Sequence, residues 1–143
     1  MAKLVWALTC SRVIHDSASN MISLIDTLDG VGMGAYPAVA PPIFVATVWQ
    51  REEGEMTIEV RARAYTPQGV MIAEQSTKLT LNPEHTRGRI NIGMIGLPIA
   101  VPGRYHFGVE IKKGGKWVEV TRIPMDFDAP HPAFPGSPQI NVQ

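Results

Sequence analysis

The stretch MTIEVRARAY, residues 56–65, decides the fold class. Met56, Ile58, Val60, Ala62 and Ala64 take every second position, with Thr57, Glu59, Arg61, Arg63 and Tyr65 between them. A period of two sends successive side chains to opposite faces, so the segment reads as a strand with one face in a core and the other towards water. Gly54 opens it and Pro67-Gln68-Gly69 closes it as a turn. Val70 to Ala73 resumes an extended pattern, which makes the pair a hairpin. Leu79 and Leu81 carry its second strand to Asn82-Pro83.

The same signal recurs on both sides. Tyr105, Phe107, Val109 and Ile111 form a second apolar stripe, with Arg104, His106, Glu110 and Lys112 facing out. Gly114-Gly115 follows as a hairpin turn, and Trp117 to Ile123 is the returning strand. Arg89 to Ile95 alternates, with Ile90, Ile92 and Met94 inward. Ile43 to Gln50 is apolar almost throughout, as a strand central in its sheet would be. Leu4 to Ser11 is an N-terminal strand with Leu4, Trp6 and Leu8 on one face and Val5 and Ala7 on the other. Residues 17–30 read two ways. Ala18, Met21, Ile22, Ile25 and Leu28 fit helical spacing, but strands on either side favour a strand over Met21–Leu28.

Twelve prolines and thirteen glycines cut the chain into about eight short strands. That count predicts an all-β, immunoglobulin-like, two-sheet antiparallel sandwich. The segments 30–42 and 96–103, rich in Gly, Pro and apolar residues, read as loops, the first crossing between sheets. Residues 1–127 form the predicted domain. Residues 128–143 form an extended C-terminal tail broken by Pro130, Pro132, Pro135 and Pro138, yet carrying the apolar Phe134, Ile140 and Val142.

Composition narrows the function classes. Thirteen Lys+Arg balance thirteen Asp+Glu, so the basic excess of a protein that lives on nucleic acid is missing. No apolar run approaches the roughly 18–20 residues of a membrane span. Leu4–Leu8 is too short for a secretory core, and Cys10 as sole cysteine fits a reducing compartment; the expected location is the cytoplasm.

Catalytic signals are sparse. His15, His85, His106 and His131 show no metal-ligand spacing, and no serine sits in a nucleophile elbow. Cys10 ends an apolar strand, where a buried inert thiol is expected. Asp26 with Asp29, and Asp126 with Asp128, are too few for a calcium loop. Gly30, Gly32 and Gly34 lack the Lys-Ser/Thr of a phosphate loop. A hydrolase would have to gather two or more of His15, His85, Asp26, Asp29 and Cys10 in one cleft. The expectation is no enzyme, no cofactor and no metal.

KLVWALTC (3–10), SLIDTLDG (23–30) and PGRYHFGVEI (102–111) occur in an order that resembles a group of small bacterial proteins catalogued as a domain of unknown function. The resemblance covers residues 2–127. It implies a single β-sandwich domain and carries no catalytic residue.

The reading that follows is a non-enzymatic interaction or structural module, a subunit of a homo-oligomeric or phage-like assembly, with the tail docking on a neighbouring copy. Arg61, Arg63, Tyr65, Trp117, Phe134 and Ile140 are the expected partner contacts. The alternative is a small-ligand-binding sandwich using loops 30–42 and 96–103.

Overall fold

The computed structural model describes residues 2–128 apart from residues 20, 29, 53, 55, 56, 81–83 and 85. Met56, Asp29 and His85, and the tail residues Phe134 and Ile140, therefore lie outside the described residues. Among the described residues eleven strands form: β1 (Lys3–His15), β2 (Ile22–Thr27), β3 (Gly30–Gly32), β4 (Ala38–Val39), β5 (Ile43–Gln50), β6 (Thr57–Tyr65), β7 (Met71–Thr80), β8 (Arg87–Met94), β9 (Pro98–Ile99), β10 (Gly103–Lys113) and β11 (Lys116–Asp128).

They make one sheet in the order β2-β1-β5-β8, a second in the order β3-β11-β10-β6-β7, and a two-stranded β4-β9 ribbon. The two larger sheets bury a shared core. Ile43, Val45, Trp49, Ile90, Ile92 and Met94 come from the first, and Ile58, Val60, Tyr105, Phe107, Val109, Ile111 and Phe127 from the second. The alternation in 57–65 and 103–113 thus does what its period requires. The Trp49 indole N–H donates to Thr47 Oγ1 at 2.7 Å, and Thr47 Oγ1 donates to the Ile90 carbonyl at 2.7 Å, so the polar atoms of this core stay paired. Tyr105 and Phe127 meet edge to face with centroids 5.0 Å apart.

Residues 22–27 are strand, as the flanking strands favoured. Gly114 and Gly115 adopt φ of 53° and 80°, the two left-handed residues of a tight hairpin turn between β10 and β11. Several details depart from the sequence reading, among them the first strand, which runs on past Ser11 to His15. The extra strands β3, β4 and β9 are two- or three-residue pieces of the segments read as loops, and β3 pairs with β11 in parallel rather than antiparallel. The last strand runs beyond Ile123 to Asp128. Leu4 does not share a face with Trp6: a bulge between them shifts the register, so Leu4 and Ala7 turn to the core while Trp6 lies opposite Val48 on the outer face. Glu110, expected on a solvated face, is only 8% exposed.

Among the described residues no helix is long and apolar enough to cross a membrane.

Candidate functional site

Four of the six expected contact residues gather on the outer face of the five-stranded sheet. Arg61, Arg63 and Tyr65 alternate along β6; β10 sets Glu110 opposite Arg61 and His106 opposite Tyr65; β11 brings Trp117 opposite Lys112. Arg61 is held on two sides. Its Nε donates to Glu110 Oε2 at 2.5 Å and its Nη2 to Glu110 Oε1 at 3.3 Å, while its guanidinium carbon lies 4.3 Å from the centre of the Trp117 ring. That stack covers Glu110, which explains its burial: neither side chain is desolvated without the other.

The network spreads across the sheet. Arg63 Nε lies 3.0 Å from Glu74 Oε2 and 3.5 Å from Glu110 Oε2. Glu59 sits 3.6 Å from both Lys78 and Lys112. Arg122 donates to Glu119 at 2.8 Å and stacks 5.1 Å from the Tyr65 ring centre, and both Tyr65 and Glu119 lean over Gly108, where a Cβ would meet Glu119 Oε2 at 3.0 Å. Arg104 closes the row on Asp126 with bonds of 2.8 and 3.2 Å. The Arg104 guanidinium holds the Asp126 carboxyl below the usual carboxylate range. Each arginine named is matched to a carboxylate, so the arginines of this face are engaged within the sheet itself.

Of the residues considered for catalysis, His15, Asp26 and Cys10 are described, and none of them lines the cleft beside Trp6. Cys10 is fully buried; desolvation raises its thiol pKa, and its Sγ faces the Phe44 carbonyl. Asp16 caps the turn after β1 by accepting from the N–H groups of Ala18 and Ser19, which lowers its pKa. No group of three or more His, Cys, Asp or Glu able to hold a metal forms among the described residues. A cleft of about 120 Å³ is lined by Trp6, Ile22, Leu24, Thr47, Val48, Arg89 and Asn91. It contains neither His15, Asp26 nor Cys10, and is small beside the roughly 300 Å³ at which ligand pockets begin. β2 and β8 stand at opposite ends of their sheet order, so a shared cleft requires the β1–β2 arm to curl back over the outer face.

Sequence reading did not bring out the contrast between the two ends of the sandwich. Strand register places the connections 33–42, 66–70 and 95–102 together at one end. None contains Asp, Glu, Lys or Arg. Val39 (65% exposed), Val70 (59%), Ile95 (73%) and Val101 (46%) project from them, joined by Met71 (46%) at the start of β7. The opposite end carries Lys3, Arg51, Glu52, Glu84, Arg87, Lys113 and Lys116. At the apolar end loops 30–42 and 96–103 meet directly: Ala38 pairs with Ile99, Val39 with Pro98, and the Ala40 N–H bonds the Leu97 carbonyl at 2.9 Å. Leu97 and Ile99 turn inward and cap the core. The Tyr105 hydroxyl holds Val101 through its carbonyl at 2.7 Å. The missing charge in these loops was visible in the sequence; that they share one end is a property of the register.

Comparison with known proteins agrees with the fold. A family model described as a family of unknown function (DUF6941) matches residues 5–125. No curated protein matches the chain. Two solved structures, both described as a glycosyl hydrolase family 2 member from Bacteroides cellulosilyticus, are similar over 66% of this chain. Their TM-scores are 0.52 and 0.50, at 12% and 13% identity. The match spans 14% of each of those chains, and at this identity it shows a shared fold alone.

Proposed function

The chain belongs to this family of unknown function, DUF6941, and within it we propose that the domain is a non-enzymatic interaction module that associates with further copies of itself through its apolar end. The observation that carries the reading is the segregation of charge. Three connections distant in sequence, free of charged residues, present Val39, Val70, Ile95 and Val101 at one end, where Arg104, Asp126 and Asp128 stand at the β10–β11 side, while charged residues crowd the other end. Uniform exposure of single aliphatics would need no explanation; their convergence on one face does.

The rest of the molecule supports this reading by default. The outer face of the five-stranded sheet has its arginines engaged with carboxylates, which leaves little field for a phosphate backbone. The buried Cys10, the sole cysteine, suits a reducing compartment such as the cytoplasm.

Light scattering of the full chain over a range of concentrations tests the proposal. A mass of two or more chains that falls on dilution is expected. The mass of a single chain at every concentration would overturn it.

A further inference from the structure

Residues 129–143, APHPAFPGSPQINVQ, contain no Asp, Glu, Lys or Arg, and three large apolar side chains: Phe134, Ile140 and Val142. The point at which this segment leaves the domain is fixed. Asp128 ends β11 at the apolar end, where it pairs with Gly32, and its carbonyl accepts a hydrogen bond from the Tyr36 hydroxyl. One residue earlier, Phe127 pairs with Gly103, two positions from the exposed Val101. A segment without Asp, Glu, Lys or Arg therefore starts beside three connections that also lack them, with Asp128 and the Arg104–Asp126 pair at the junction, although the chain as a whole carries twenty-six charged side chains.

Resting on the self-association reading above, we infer that the C-terminal segment 129–143 of one copy docks on the apolar end of a second copy, with Phe134 as its main anchor. Its fifteen residues give it the reach to meet a neighbouring copy. Fully extended, the segment spans at most about 50 Å, enough to bridge two domains. Ile140 and Val142, on the far side of Pro135 and Pro138, add contacts beyond the anchor.

Cross-linking between differently tagged full-length chains tests this. One population carries Ile95→Cys, the other Phe134→Cys, and a short thiol-reactive bismaleimide is added to their mixture. Cys10 is fully buried and stays silent, as wild-type chains treated alike will show. The expected product is a covalent heterodimer, several-fold more abundant than from Lys113→Cys mixed with Phe134→Cys, since Lys113 lies at the charged end. Oligomers by light scattering with Ile95–Ile95 links and no heterodimer would overturn the tail as occupant and leave self-association standing. A link formed only within a chain bearing both substitutions would show that the tail covers its own domain, which overturns docking on a second copy. Monomers by light scattering would remove the reading on which the inference rests.

Discussion

The Tyr36 hydroxyl donates a hydrogen bond to the backbone carbonyl of Asp128, 92 residues further along the chain. This contact ties the first crossover connection to the last residue of the last strand. The apolar end and the end of β11 are thereby held as one unit.

Replacing Tyr36 by Phe keeps the ring and removes the donor. A net loss of about 1 kcal/mol is expected, typical of one hydrogen bond. Chemical denaturation reads it directly. No change in midpoint would show that the bond does not hold the strand end.

Arg61 and Glu110 form the most enclosed ion pair of the outer sheet face, with side-chain exposures of 11% and 10%. Removing one partner strands the other under Trp117. Glu110→Gln and Arg61→Met are each expected to cost about 2–3 kcal/mol, and the double variant less than the sum. Additive losses in a double-mutant cycle would show that the two side chains are energetically independent.

Asp126 titrates below the ordinary carboxylate range because the Arg104 guanidinium bonds its charged form. A depressed folded-state value means that its contribution to stability is present above the unfolded value, near 3.9, and fades as pH falls through the folded one. Arg104→Gln should return the Asp126 titration, followed by NMR, to the usual range. An unmoved titration would assign the shift to another cause.

Gly103 has φ of 145°, and a Cβ there would lie 2.8 Å from Pro67 Cγ. Backbone strain and the clash act together, so Gly103→Ala is expected to cost about 2 kcal/mol or more. Gly32, with open space around its Cβ position, should accept Ala with little effect. Equal thermal shifts for the two variants would contradict this account.

The strands over residues 57–65 and 104–112 were legible because half-buried strands print their period into the sequence. Leu4 was misplaced because a bulge adds one residue to a strand without any mark in its composition. Glu110 was misjudged for a related reason. Alternation tells which way a side chain points, and its cover comes from Arg61 and from Trp117 across the Gly114-Gly115 turn. Of the expected contact residues, Arg61, Arg63, Tyr65 and Trp117 share one face, yet Arg61 stacks on Trp117 and the others are engaged by Glu74, Glu110 and Arg122 of the same sheet. The apolar end was only half legible. Loops 30–42 and 96–103 stood out by composition, whereas Val70 joins them only through strand register.

The central claim is that this end is where copies meet. Light scattering of the full chain beside an Ile95→Asp/Val101→Asp variant tests it most directly. Both positions are exposed, so the fold should tolerate the charges, and an unchanged far-ultraviolet circular dichroism spectrum with cooperative unfolding serves as the control. The account predicts an oligomer for the natural chain and a monomer for the variant. Oligomers of equal mass from both would contradict it.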